Sequence, residues 1–183
     1  MSRLDRLVER YAEHIATPWP EGLSGIERVI FVVYPPADEL KFRVYIDEFE
    51  LRTRDAGHGW NLLDLTDAFP RWMAAQRYRD KYFRRPELLA GYPEGRLTEF
   101  TKHLVERTSA QIEQASANDV VAMAGVGVLF GVSSVSAVVD QAASAINGRL
   151  VVFFPGEVED KTYRLLDARD GWGYLAHAIT THA

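Results

Sequence analysis

Apolar residues along this chain follow two periods, one typical of buried strands and one typical of helices with a single apolar face. Short runs of β-branched and aromatic residues, bounded by glycine, proline or polar residues, predict strands buried on both faces. These runs cover 28–36, 59–67, 119–125 and 148–157. Between them, apolar residues recur every three or four positions, which predicts helices. The first such set is Leu4, Leu7, Val8, Tyr11 and Ile15.

The longest apolar stretch runs from Val120 to Val139 without a charged residue. About 20 such residues can cross a bilayer, but the period changes within the stretch. Its first part resembles the other buried strands, whereas its last part alternates an apolar helical face with a polar one. A polar face is costly in a lone membrane helix and normal in a surface helix. We therefore predict a strand, a loop and then a helix, with the change near Gly131, and no membrane span.

The alternation of strands with helices indicates the fold class. Parallel strands need crossover connections, and helices that alternate with strands cover both faces of the sheet. Two shorter strands around an Asp-Gly turn at 170–171 can add an antiparallel edge near the C-terminus. The prediction is a single three-layer, Rossmann-like α/β domain over residues 1–183, with a mainly parallel sheet.

Composition narrows the function classes. The chain has 26 acidic and 21 basic residues, for a net charge of −5, which gives no general attraction to nucleic acid or anionic membranes. It contains no cysteine, so disulfides, thiolate metal sites and a cysteine nucleophile are excluded. The N-terminal segment is charged and amphipathic, so no signal peptide is expected. These features predict a cytoplasmic protein.

In a parallel α/β sheet, ligands bind outside the carboxyl ends of the strands. The third of these ends carries the pattern G-x-G-x-x-x-G, from Gly125 to Gly131. This pattern differs from the dinucleotide fingerprint, and the chain lacks the Gly-Lys-Ser/Thr of a phosphate-binding loop. A tight turn is the favoured interpretation, and a degenerate nucleotide-binding domain without hydrolytic activity is the alternative. The candidate ligand cleft consists of Asp64, Asp67, Gly125, Gly127, Gly131 and Glu157.

Other catalytic patterns are weak or missing. The triplet Glu159–Asp160–Lys161 matches a short piece of metal-dependent nuclease sites, but it is common and falls in a predicted loop. The histidines lack metal-ligand spacing, and no serine occupies a G-x-S-x-G turn. The sequence therefore predicts no catalytic residue, no metal site and no cofactor.

The segment from Arg77 to Arg85, RYRDKYFRR, combines bases with aromatic residues. Such a combination suits an acidic protein surface or a nucleic-acid backbone with stacked bases. The favoured interpretation is structural, a helix end where cations complement the dipole. Of the two functional interpretations, a protein partner is preferred to nucleic acid. The candidate partner or nucleic-acid surface consists of Arg77, Arg79, Lys81, Tyr82, Arg84 and Arg85.

Several stretches, taken in order, resemble the BrxB family, an accessory subunit of the BREX phage-exclusion systems. They are RLVERYAEHIATPW, RVIFVVYPPADE, IDEFELRTRDAGHGWNLLDLTDAF, AGVGVLFGVSSVSAVV, RLVVFFPGE and YRLLDARDGWGYL. The resemblance implies a cytoplasmic, non-enzymatic scaffold in antiviral defence that binds PglZ, the alkaline-phosphatase-like subunit, with other BREX subunits as further candidate partners. Contact with DNA is an alternative that rests on the basic segment 77–85 and is not favoured. The resemblance assigns no catalytic residue.

Overall fold

A computed structural model describes residues 1–89, 96–168 and 171–181 of the chain. The helices are α1 (Arg3–Ile15), α2 (Glu39–Asp55), α3 (Ala68–Ala74), α4 (Arg79–Arg84), α5 (Arg96–Glu113) and α6 (Val135–Ala142). The strands are β1 (Val29–Tyr34), β2 (Gly59–Asp64), β3 (Asp119–Ala124), β4 (Arg149–Glu159), β5 (Thr162–Leu165), β6 (Trp172–Gly173) and β7 (His177–Ile179).

Five strands form a parallel sheet in the order β2-β3-β4-β1-β7. The carboxyl-terminal part of β4 continues past this sheet and pairs antiparallel with β5, which pairs antiparallel with β6. The predicted fold class, a mainly parallel α/β sheet with antiparallel strands near the C-terminus, is confirmed. The turn predicted at 170–171 includes a residue outside the described ranges.

Two apolar cores lie on opposite faces of the sheet, because successive strand residues point to opposite sides. In β1, Phe31 packs into the core with α3, α5 and α6, whereas its neighbour Val32 packs into the core with α1 and α2. The central strand β4 alternates in the same way through Val151 and Val152, both fully buried. The result is three layers with helices on each side, as predicted from strands that are apolar on both faces.

The long apolar stretch divides as predicted. β3 ends at Ala124, a short 3-10 helix covers Val126–Leu129, and α6 begins at Val135 after Ser134. The Ser134 hydroxyl accepts a hydrogen bond from the Ala137 amide and so caps this helix. Within the described part of the chain, no helix is both long and apolar enough to span a membrane.

Candidate functional site

The carboxyl ends of β1 to β4 meet at one edge of the sheet, where the sequence predicts a ligand cleft. A cavity of about 220 Å³ lies there, between α2 and the ends of β2 and β3. Of the predicted cleft residues, Asp64 and Gly125 line it together. Helix α2 contributes Glu39, Arg43 and Asp47 to the same cavity. Three carboxylates and one guanidinium therefore face this space.

The polar groups that line this cavity form hydrogen bonds and an ion pair with one another or with the backbone. The Asp64 carboxylate accepts a hydrogen bond from the Thr66 amide at 2.8 Å. Glu39 accepts one from the Tyr34 hydroxyl and forms an ion pair with Arg43 at 3.2 Å. Burial, reinforced by Glu39, raises the pKa of the Tyr34 phenol, which keeps its proton and remains a donor. A predominantly acidic lining disfavours a nucleotide phosphate.

The glycines at 125 and 127 have a structural role, because the tight turn after β3 needs small residues. Gly125 has a φ of +74°, and a Cβ there would lie 2.6 Å from Thr66 Oγ1 and 2.7 Å from the Thr66 amide nitrogen. Gly127 approaches Pro155, where a Cβ would lie 3.3 Å from Cγ. The amides of Val128 and Phe130 donate to carbonyls within the turn. These contacts support the prediction that small residues are needed for a tight strand-to-helix connection.

The other predicted cleft residues are separated from this cavity. Glu157 lines a different cavity, of about 620 Å³, with Gly156 and the end of β1. Asp67 precedes α3 without capping it through its side chain and forms an exposed ion pair with Arg71 at 3.6 Å. Gly131 is exposed, has a φ of +76°, and has no neighbour where a Cβ would stand. The six predicted cleft residues are thus divided among two cavities, two surface positions and the turn itself, where Gly127 packs against Pro155.

The nuclease-like triplet forms the turn of the β4–β5 hairpin. Glu159 pairs with Thr162 across the hairpin, and Asp160 and Lys161 form the two-residue loop. Both loop residues have positive φ, 47° and 65°, as in a type I′ turn. In the described ranges, no group of three histidine, aspartate or glutamate side chains could hold a metal ion.

The basic segment forms an exposed surface with one exception. Tyr82 is only 9% exposed, packs into the core with α5, and its hydroxyl accepts a hydrogen bond from Arg96 at 3.0 Å. Its assignment to the partner surface is therefore wrong, because α4 turns that side chain inward. Tyr78 and Phe83 are the exposed aromatic residues, at 52% and 68%. We call the exposed residues of 77–85 the α4 surface.

A second surface was missed by the sequence analysis. On α2, Phe42 and Phe49 are buried, yet the opposite side carries Leu40, Val44 and Leu51 with exposed fractions of 80%, 75% and 50%. These three residues form what we call the α2 stripe. The sequence could have indicated this surface, because α2 has apolar residues on both sides, whereas a surface helix normally has one polar face.

The fold and these surfaces define a Rossmann-like α/β domain. In the smaller cavity at its carboxyl edge, Asp64, Glu39 and Arg43 form hydrogen bonds or ion pairs within the chain. The most unusual exposed features of the domain are the α4 surface and the α2 stripe. Comparison of the chain with protein-family models, with curated proteins and with solved structures finds no match. Function must therefore be argued from the chemistry of the surfaces.

Proposed function

We propose that this chain is a non-catalytic, cytoplasmic subunit that binds a partner protein through its α4 surface. The observation that carries the proposal is the exposure of Tyr78 and Phe83 among basic side chains. Aromatic residues and arginine are enriched in the energetically dominant parts of protein interfaces. Burying Phe83 against a partner would remove a large apolar side chain from water.

The charge of the α4 surface indicates the chemistry of the partner. Within the described residues, Arg77, Lys81 and Arg84 form no ion pair with a carboxylate. Arg79 forms a 3.9 Å ion pair with its neighbour Asp80 and donates a hydrogen bond to the Ala74 carbonyl at 2.9 Å. An acidic partner surface could neutralise these cations, which favours fast and specific association.

A protein partner is favoured over DNA. The chain as a whole carries a net charge of −5, which opposes a close approach to a polyanion outside one small patch. The resemblance to BrxB names the specific candidate, the PglZ-type subunit of a BREX system. In this proposal the chain acts as a scaffold in antiphage defence, and contacts with further BREX subunits would use other surfaces.

Binding to the purified PglZ-type subunit tests this proposal. At micromolar concentration and low salt, we expect co-elution of the two proteins on size exclusion. Two variants, Arg77→Glu/Arg84→Glu and Phe83→Ala, should each weaken the affinity at least about tenfold, because they remove charge and apolar contacts from the interface centre.

The matched control is Arg6→Glu/Arg52→Glu, which makes the same charge change at exposed positions of α1 and α2, on the opposite face of the sheet from α4. It should leave the affinity within about threefold of the natural chain. Absence of a complex, or equal affinities for all variants, would contradict the proposal. Salt-dependent retention on DNA that is lost in Arg77→Glu/Arg84→Glu would instead assign the α4 surface to nucleic acid.

A further inference from the structure

The α2 stripe is a surface that the proposed function does not use. It lies on the α1–α2 side of the sheet, whereas α4 packs on the other side through Tyr82. With 3.6 residues per turn, Val44 and Leu51 lie roughly 40° and 20° around the helix from Leu40. The three exposed side chains therefore share one narrow face, directly opposite the core.

An exposed apolar face on a long surface helix marks an interaction site. We infer that the chain forms a symmetric dimer in which the α2 helices of two copies pack antiparallel along the α2 stripe. In this arrangement Leu40 of one copy meets Leu51 of the other, and this contact occurs twice. The two-fold axis then passes between Val44 and Asp47.

The charges that border the stripe favour this antiparallel register. On one border, Arg43 faces Glu50 of the second copy; on the other, Lys41 faces Glu48 of the second copy. Each of these pairs occurs twice about the two-fold axis, so four contacts join opposite charges, whereas one contact, between the two Asp47 side chains, joins like charges. Within one copy, Arg43 already pairs with Glu39 at 3.2 Å and Glu50 with Arg54 at 2.8 Å, so one border of the dimer would become a continuous ion-pair network.

Asp47 is the one charged residue next to the centre of the stripe. It lies on the border that carries Arg43, four residues earlier, and lines the same cavity as that arginine. Because the two-fold axis passes beside this residue, the Asp47 carboxylates of the two copies would lie near each other. Arg43 of both copies, one turn earlier on the same side of the helix, would offset their repulsion. A self-complementary pattern of this kind is what a two-fold interface requires.

Sedimentation velocity over a concentration series tests the dimer. We expect a reversible monomer–dimer equilibrium with a dissociation constant in the range of about 1–100 µM, since one helix gives a small interface. Val44→Glu should weaken association at least about tenfold by placing a charge in the stripe. The control is Leu175→Glu, at a position between β6 and β7 that is 74% exposed and does not belong to α2. This variant should dimerise normally.

A charge exchange tests the register. Lys41→Glu and Glu48→Lys should each weaken association, because each places like charges opposite one another. The double variant Lys41→Glu/Glu48→Lys should recover most of it, because both contacts are restored with reversed sign. A different partner protein, with its own fixed charges, would not produce this recovery.

Cysteine crosslinking tests the direction of the helices, since the natural chain has no cysteine. In the antiparallel arrangement, Leu40 of the two copies is separated by about 16 Å along the helix, too far for a disulfide. Leu40→Cys alone and Leu51→Cys alone should stay uncrosslinked, whereas their mixture should form a disulfide-linked dimer. A chain that stays monomeric at about 100 µM, or a dimer that Val44→Glu leaves intact, would overturn the inference.

Discussion

Gly125 shows how a single residue fixes the candidate cleft. Its positive φ turns the chain at the end of β3, and its missing side chain leaves room for the Asp64–Thr66 hydrogen bond. A Cβ at this position would meet the backbone of Thr66, which cannot move without shifting the end of β2. The glycine is therefore needed for packing as well as for conformation.

Two glycine substitutions separate these effects. Gly131→Ala should lower the free energy of unfolding by about 1 kcal/mol, because only the left-handed backbone is strained there. Gly125→Ala carries the same strain and should cost about 1–3 kcal/mol more from overpacking against Thr66. Urea denaturation measures both values. Equal losses in the two variants would show that the close approach at Gly125 is unimportant.

At the scale of elements, the β4–β5 hairpin has a turn in which one residue does not match the backbone conformation. Type I′ turns favour asparagine or aspartate at the first central position and glycine at the second, because both have positive φ. Asp160 fits the first position, whereas Lys161 stands where glycine is preferred. The register of the hairpin is set by its strands, where Val158 lies opposite Tyr163 and Tyr163 is buried.

Removing the backbone strain at Lys161 should stabilise the protein. Lys161→Gly should raise the free energy of unfolding by about 1 kcal/mol, because glycine adopts a φ of 65° without a Cβ clash. For a chain of this size, that corresponds to about 2–4 °C in melting temperature. Lys161→Ala is the matched control and should give no gain, since alanine keeps the Cβ. A similar gain from both variants would point to charge and not to backbone conformation.

At the scale of the whole molecule, the two ends of the described chain meet through histidines. His14 on α1 stacks on His177 on β7, with ring centroids 4.1 Å apart. Burial, together with His177 and Arg149, lowers the pKa of His14 from 6.5 to about 4. Burial also lowers the pKa of His177, and Arg10 adds to this effect. The folded protein thus keeps both rings neutral where an unfolded chain would bind protons.

This arrangement makes stability depend on pH. Between about pH 6.5 and pH 4 the unfolded chain binds more protons at these positions, so the free energy of unfolding should fall as the pH falls through that window. Urea denaturation from pH 7.5 to pH 4.5 measures the slope. His14→Gln should flatten it, whereas the control His103→Gln, at an exposed position of α5, should not. An unchanged slope in His14→Gln would exclude His14 as its source.

Local sequence patterns predicted much of the fold because they report which sides of an element are apolar. β1 and residues 150–154 of β4 are all apolar or aromatic, so burial on both faces could be predicted directly from the sequence. The break near Gly131 followed from the change of period between β3 and α6. The candidate site was harder to predict from the sequence. Tyr82 and Phe83 are both aromatic residues of the same basic segment, and only the position of α5 decides which of them is buried.

The sequence by itself determined the fold class, the helical and extended segments and the placement of glycines at the strand-to-helix turn, because these depend on neighbours along the chain. Tertiary structure alone decided the strand order, the division of the carboxyl edge into two cavities and the exposure of the α2 stripe. These depend on which distant segments come to cover each face. The sequence does not show whether an apolar side chain such as Val44 is covered by a neighbouring segment or exposed to water.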